Sequence, residues 1–198
     1  MPRILEFVIA LLGLMVLLPI ITIIAILIKL NSRGPVLFRA ERAGKGGKPI
    51  TIFKFRSMVK DAMKFGPPIT TQADNRITLV GKFLRKTKLD ELPQLINVFK
   101  GDMCFVGPRP EDLGIVKKYT DVQRRILSYK PGITSPASIE YRAEENAIPA
   151  DQWEEIYLRD ILPNKISIDL DYFQNANFWS DLMVILKTLG LTRKRVHS

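Results

Sequence analysis

The sequence predicts an α+β fold, mainly helical, in which one compact cytosolic domain sits on a membrane-inserted N-terminal helix. Three observations predict it. Residues 7–28 carry no charge. Residues 36–56 hold two short alternating stretches on either side of a glycine cluster, the pattern of a small β-hairpin. Apolar residues at helical spacing return between 89 and 99 and again between 178 and 189. At 198 residues the chain allows one domain of ordinary size. It divides at the end of the apolar block, into a membrane-inserted segment at 1–30 and a cytoplasmic domain at 31–198.

The apolar block spans 22 residues, interrupted only by Gly13, Pro19 and Thr22. A straight helix of that length would measure about 33 Å, close to the ~30 Å of a bilayer's hydrocarbon core. A cleaved signal peptide fits poorly, because the run is long and ends in Ile28, Lys29 and Leu30 rather than in small residues. After the block come Lys29, Arg33, Arg39, Arg42, Lys45 and Lys48 against Glu41 alone, an excess that holds the following chain in the cytoplasm. Two topologies then compete. One is a single span with its N-terminus outside. The other is a re-entrant hairpin broken at Pro19, which lacks a backbone donor and can interrupt the helix.

Charge and composition narrow the chemistry. Thirty Lys and Arg against 20 Asp and Glu leave +10, while 46% of residues are apolar. That combination suits an anionic lipid surface or phosphorylated partners. Cys104 is the one cysteine and His197 the one histidine, second from the end. An internal disulfide is therefore excluded, and Ser-His-Asp, Cys-His and His/Cys zinc chemistries would have to be built around a tail residue. Catalysis has to rest on carboxylates, Lys, Arg, Tyr or a metal held by oxygen.

In chain order, residues 31–35 form the junction and Val36, Leu37, Phe38 and Arg39 a short strand. Gly44, Gly46 and Gly47 lie in a turn without the spacing of a nucleotide-binding P-loop. On the second strand Ile50, Ile52, Lys54 and Arg56 share a face, so two cations project together; a phosphate site and a solvated edge are both consistent with that. Residues 69–75 form a polar loop and 79–85 a short helix. In the next stretch Leu89, Leu92, Ile96 and Phe99 keep helical spacing, with Pro93 in the first turn and Gly101 as the stop. Asp90 and Glu91 thus sit at or near a helix N-terminus. Capping would explain one carboxylate there; two adjacent ones, beside Arg85, Lys86 and Lys88, ask for more. Pro108 and Pro110 restrict the backbone around Arg109, whose guanidinium is then held for a phosphate, or simply closes a turn. Residues 111–129 are expected to be helical, with a loop from Pro131 and Gly132. The last stripe, Phe178, Leu182, Ile185, Leu186 and Leu189 with Trp179 on its flank, serves a core or an amphipathic interfacial helix. In the second case Lys187 and the tail Arg193, Lys194 and Arg195 would engage anionic lipid.

Five strings, in consistent order, carry a family resemblance. They are Ser32-Arg33-Gly34-Pro35-Val36-Leu37-Phe38, Phe53-Lys54-Phe55-Arg56-Ser57-Met58, Leu89-Asp90-Glu91-Leu92-Pro93-Gln94-Leu95-Ile96-Asn97-Val98, Lys100-Gly101-Asp102-Met103 and Val106-Gly107-Pro108-Arg109-Pro110, followed by Lys130-Pro131-Gly132-Ile133-Thr134. Over about residues 31–190 the chain resembles the bacterial sugar transferases, and within them the small monotopic polyprenyl-phosphate phosphoglycosyl transferases. The resemblance implies transfer of a sugar 1-phosphate from a UDP-sugar to undecaprenyl phosphate, release of UMP, a need for magnesium, and the opening membrane step of glycoconjugate assembly. It implies Asp90 as nucleophile and Glu91 as its partner, and a re-entrant helix broken at Pro19 on the cytoplasmic face of the bacterial inner membrane. Two departures stand out. Leu18 precedes Pro19 where the family pattern usually has Ser, and Ser135-Pro136-Ala137-Ser138 replaces the usual residues after Thr134, although Arg142 falls where an arginine is frequent.

The chemistry accounts for the residue types. A pyrophosphate repels a carboxylate until its charge is met, which Mg2+ held by Asp90 or Glu91 and the cations Lys54, Arg56, Arg85, Arg109 and Arg142 would do. A homodimer is compatible with the sequence. The rival reading is a membrane-tethered basic module that binds phosphate groups or nucleic acid; it leaves the adjacent carboxylates without a purpose, so no nucleic-acid partner is expected.

Overall fold

In the computed structural model, which describes residues 1–66, 70, 74–142, 149 and 151–191, the uncharged block lies within one helix, α1, Arg3–Asn31. It is long and apolar enough to cross a membrane. Pro19 lies inside it. The proline has no N–H to offer the carbonyl one turn back, and the Thr22 hydroxyl donates to the Leu18 carbonyl at 2.9 Å. The break expected at Pro19 is therefore a missing hydrogen bond within one continuous helix, not a division into two.

The hairpin forms where alternation and glycines place it. Strands β1, Leu37–Ala43, and β2, Pro49–Phe55, pair antiparallel in a register that sets Ala40 against Ile52. Gly46 and Gly47 take positive φ in the turn between them. Both faces of β2 are buried: Ile52 packs with Ala10, Val98 and Met103, while Phe55 packs with Ile24, Ile28 and Leu84. The expected helix at 89–99 is split. Pro93 cannot donate, so Leu89–Glu91 closes as a 3-10 turn and helix α3, Gln94–Lys100, starts after the proline. Gly101, at φ 94, ends it as expected. From α3 the wholly buried Asn97 reaches β2: its amide nitrogen donates to the Thr51 carbonyl at 2.6 Å, and its oxygen accepts from the Phe53 N–H at 3.0 Å. One side chain thereby satisfies backbone groups that a third strand would otherwise have to pair.

Both ends of α1 are seated on this framework. Near its start, Arg3 donates to the carbonyls of Val98 and Phe99 at the end of α3, at 2.6 and 3.2 Å. Glu6 accepts from the Phe105 N–H, and Phe7 stacks on Phe99 with centroids 4.6 Å apart. At the other end Ile24 and Ile28 pack with Phe55 and with Leu84 of helix α2, Leu79–Thr87. Between these anchorages Leu11, Leu12, Met15, Val16, Leu18 and Ile20 are exposed. Helix α2 begins at its Thr78 cap, and Gly81 is required there because a Cβ would come within 1.9 Å of the Ser57 carbonyl oxygen.

The remainder departs further from expectation. A parallel pair, β3, Cys104–Val106, and β4, Gly132–Thr134, replaces the loop at Pro131 and Gly132. Gly107 and Gly132 meet there so closely that a Cβ on Gly132 would lie 2.1 Å from the Gly107 nitrogen. The helix expected over 111–129 is interrupted. Helix α4, Leu113–Val116, ends before Thr120, which with Gln123 forms a capping box opening α5, Asp121–Arg124, and a 3-10 turn follows over Arg125–Ser128. Helix α6, Pro136–Glu140, then precedes three helical segments: α7, Trp153–Ile156, a π turn over Tyr157–Ile161, and α8, Leu162–Gln174. These segments pack Tyr157, Leu162 and Ile166 against Ala43, Ile115, Val116, Tyr119 and Ile126. Helix α9, Phe178–Thr188, turns Val184 inward and leaves Trp179 and Met183 exposed. The basic tail Arg193, Lys194 and Arg195, His197 and part of the loop expected at 69–75 lie outside the described residues.

Asn97 supplies the test of this framework. Asn97→Ala leaves the Phe53 N–H and the Thr51 carbonyl on β2 without their partner, a loss of about 1–3 kcal/mol. A clear fall in the midpoint of thermal unfolding in detergent is expected, and an unchanged midpoint would contradict the bridging role.

Candidate functional site

A cavity of about 910 Å³ opens between the hairpin, the turn before α3, the loop at 109–112 and the α6 and α7–α8 region. Lys54, Arg85, Asp90, Glu91, Arg109 and Arg142 all line it, so residues spread over 89 sequence positions, from 54 to 142, meet in one space. The elements explain each placement. Lys54 projects from the penultimate position of β2. Asp90 and Glu91 share the 3-10 turn, whose tight winding turns the two adjacent carboxylates in different directions. Arg109 follows the contact between Gly107 and Gly132, where the Gly132 N–H donates to the Pro108 carbonyl at 3.0 Å.

Glu91 holds two cations at once. Its Oε1 accepts from the Lys54 ammonium at 2.9 Å and from both terminal nitrogens of Arg109 at 3.2 Å. Burial by itself would push the Glu91 carboxyl upward. Lys54, Arg109 and Lys88 outweigh burial and hold it far below the usual carboxylate range. Lys54 is lowered by burial, which Glu91 opposes. The ion pair is thus an anchored and charged one, and each member would be costly to leave buried alone.

Asp90 is the opposite case. It is buried at 7% exposure, and among the described residues its Oδ1 has no hydrogen-bond partner. Burial raises its pKa, Lys54 pulls it down, Glu91 pushes it up, and Arg85 and Lys88 pull it down; it remains raised overall. Two adjacent carboxylates therefore do different work, one fixed by cations and one left with an unspent oxygen. An unpartnered buried carboxylate oxygen is rare, and here it borders a cavity large enough for a nucleotide-sized ligand.

Arg56 is already engaged by the chain itself. Although it borders the cavity, its guanidinium donates to the carbonyls of Ser32 and Arg33 at 2.7 and 2.6 Å and to the Ser32 hydroxyl at 3.0 Å. It ties off the end of α1. Period two sets it on the Lys54 face of the strand, but the chain emerging from α1 already takes its two terminal nitrogens, and its Nε is without a partner among the described residues. Arg85 donates to the Thr70 hydroxyl, and Arg142 stands exposed at the cavity's edge.

The far wall was not anticipated from the sequence. There Glu111, Ser138, Tyr141, Tyr157 and Lys165 line the cavity. The Tyr157 hydroxyl donates to Glu111, and the buried Lys165 ammonium lies 5.3 Å from the Tyr157 ring centroid. Lysine in an otherwise amphipathic helix is the only signal for that wall. On α8 the neighbouring Asp169 accepts from the Ala137 N–H at 3.0 Å, and burial pushes it up to about 6. The described residues hold no cluster of three or more His, Cys, Asp or Glu side chains able to bind a metal. Asp90 with Glu91 nevertheless fits Mg2+, which takes one or two carboxylates and completes its shell with water and substrate phosphates. The orphaned Asp90 oxygen is the observation that carries this fit.

Comparison with known proteins bears on this site. A family model described as bacterial sugar transferase matches residues 1–195. Over 177 residues the chain is 37% identical to a UDP-N-acetylgalactosamine-undecaprenyl-phosphate N-acetylgalactosaminephosphotransferase of Aeromonas hydrophila, a match covering 86% of this chain and 38% of the relative. Over 190 residues it is 38% identical to the UDP-glucose:undecaprenyl-phosphate glucose-1-phosphate transferase of Escherichia coli, covering 93% and 38%. A protein of the same name from Caulobacter vibrioides is 36% identical over 180 residues, covering 86% and 61%. The chain thus spans less than two thirds of the length of these relatives.

The electrostatic contrast is testable by titration. Because burial raises Asp90, its carboxyl carbon should titrate above the usual ~3.9 in NMR of the chain in detergent. Lys54→Met removes the strongest cationic pull on it and should move that midpoint further up. A midpoint that stays put or falls would contradict the assignment of Lys54 as the cation acting on Asp90.

Proposed function

The chain belongs to the bacterial sugar transferase family, and from that premise we propose that it transfers a sugar 1-phosphate from a UDP-sugar to undecaprenyl phosphate and releases UMP. The observation that carries the proposal is the buried Asp90, with an unpartnered oxygen, beside a Glu91 committed to Lys54 and Arg109. The names of the three relatives share UDP and undecaprenyl phosphate, while the sugar is glucose in two and N-acetylgalactosamine in the third. The sugar is accordingly the part left open here.

In the first step a carboxylate oxygen of Asp90 attacks the sugar-bearing phosphorus. The bond from that phosphorus to the UMP oxygen breaks, UMP leaves, and an acyl phosphate remains on Asp90. In the second step a phosphate oxygen of the lipid attacks the same phosphorus, and the Asp90 carboxylate departs unchanged. No proton need be gained or lost overall. Lys54 and Arg109 are fixed at the site by Glu91, so they meet phosphoryl charge without reorganising. Mg2+, held by Asp90 and Glu91, would supply further neutralisation of the donor's pyrophosphate. Arg85 and Arg142 line the same space and serve the nucleotide phosphates.

The proposed place of work is the cytoplasmic face of the inner membrane. Both ends of α1 pack on the domain that follows it, through Arg3, Glu6 and Phe7 at one end and Ile24 and Ile28 at the other. A helix that crossed the bilayer would carry its first turn away from that domain. A path that stays on one side, the continuous helix dipping its exposed apolar stretch at 11–20 into the lipid without crossing it, keeps both sets of contacts. Exposed Leu79 and Phe83 on α2, and Trp179 and Met183 on α9, suit the interface around it. A basic nucleic-acid-binding module is disfavoured, since it leaves the adjacent carboxylates Asp90 and Glu91, one of them with an unpartnered oxygen, without a purpose.

The topology has its own test. With Cys104 replaced, a cysteine introduced by Pro2→Cys should be shielded from an impermeant thiol reagent in intact cells. Labelling from outside would establish a full span instead. For the chemistry, enzyme given a UDP-sugar alone should release UMP in a burst near stoichiometric with enzyme. Asp90→Asn should abolish the burst while the protein stays folded, and EDTA should suppress it until magnesium is restored. UMP formed only when both substrates are present would replace the covalent step by direct transfer.

A further inference from the structure

Among the described residues two other than glycine take positive φ, Asp61 and Lys88. Asp adopts this conformation with modest loss because its short side chain can bond locally; Lys has no such compensation. Lys88, at φ 60, occupies the left-handed cap that ends α2, its N–H donating to the carbonyls of Leu84 and Arg85, a position where glycine is the ordinary residue. Its own carbonyl accepts from the Glu91 N–H at 3.2 Å. One strained residue therefore ends α2 and begins the turn that carries both carboxylates.

The reversal decides where the side chain goes. Lys82 and Lys86 on α2 are exposed, but half-buried Lys88 lines the cavity. Its charge bears on both Asp90 and Glu91. Among the described residues its ammonium makes no hydrogen bond or ion pair, whereas Lys54 and Arg109 are held by Glu91 and Arg85 meets Thr70. A lysine kept at the expense of backbone strain, beside a carboxylate with a spare oxygen, calls for an anionic ligand.

We propose that Lys88 is a phosphate-binding residue of this site, its ammonium meeting phosphoryl oxygens of the substrate engaged by Asp90. The inference rests on the transferase reading for the identity of the phosphates. Their source is the donor's diphosphate or the lipid's monophosphate, and the two are separable.

Binding of UDP alone and of undecaprenyl phosphate alone, each with magnesium, is measured calorimetrically on the full chain in detergent. Lys88→Gly and Lys88→Asn both suit the left-handed backbone, so their thermal midpoints should equal or exceed the native one. Each should nonetheless weaken one of the two ligands by about tenfold or more, the value of one charge-assisted hydrogen bond, while Lys88→Arg stays within about threefold. Loss confined to UDP assigns the donor diphosphate, and loss confined to the lipid assigns the acceptor. Native affinity for both ligands in Lys88→Gly would overturn the proposal, and so would a lowered midpoint in both neutral variants, which would make Lys88 structural. Absence of UMP release by the native chain with every UDP-sugar would count against the transferase reading; the binding comparison still decides the role of Lys88.

Discussion

One carboxylate oxygen, Oε1 of Glu91, organises this molecule's working face. It is reached by Lys54 from the hairpin and by Arg109 from the loop between two prolines. Three chain segments remote in sequence are thereby tied at one point. The mostly buried Glu91 carboxylate is tolerable as an anion because both cations meet it; with Glu91 gone, the largely buried Lys54 would lose the partner that keeps it charged. The same contact relieves Asp90 of holding Lys54 or Arg109 and leaves it the group with a spare oxygen.

That point can be held only if its three segments are fixed independently. Asn97 fixes the free edge of β2 to α3, a residue pair away from Lys54. Arg56 ties β2 to the end of α1. Gly107 and Gly132 let β3 and β4 approach until no side chain would fit, which sets the take-off of the Arg109 loop. Helix α1 adds to this as a brace, since its two ends grip α3 on one side and β2 with α2 on the other. The seating of the apolar helix and the geometry of the site are in this way consequences of one packing arrangement. Under the proposed function, a domain oriented at the membrane surface would meet a lipid substrate already confined to that surface, and the search for it would be correspondingly shortened.

Much of this was legible in the sequence, for identifiable reasons. An uncharged run, a glycine cluster between alternating stretches and a Gly after Lys100 are local signals, and each produced the expected element. Asp90 and Glu91 drew notice because two carboxylates exceed what capping needs. The failures share a cause: they depend on what lies opposite. Alternation put Arg56 on the Lys54 face but said nothing of the carbonyls of Ser32 and Arg33 waiting at the strand's end. β3 and β4 are three residues each and 28 positions apart at Cys104 and Gly132, too short for any periodicity. The interruption of the helix expected over 111–129 was readable in Thr120 and Gln123, a capping box inside an apparently helical run. Lys165 and Tyr157 form a wall of the cavity through the packing of α7 and α8 on Glu111, which no motif announces.

The central claim is a division of labour between neighbours, with Glu91 fixed by cations and Asp90 left to react. Its most direct test is to quench native enzyme after exposure to a UDP-sugar alone and to map the retained sugar phosphate by peptide mass spectrometry. The account predicts a single modified residue, Asp90. Modification of Glu91, or of any residue outside the turn Leu89–Glu91, would contradict it.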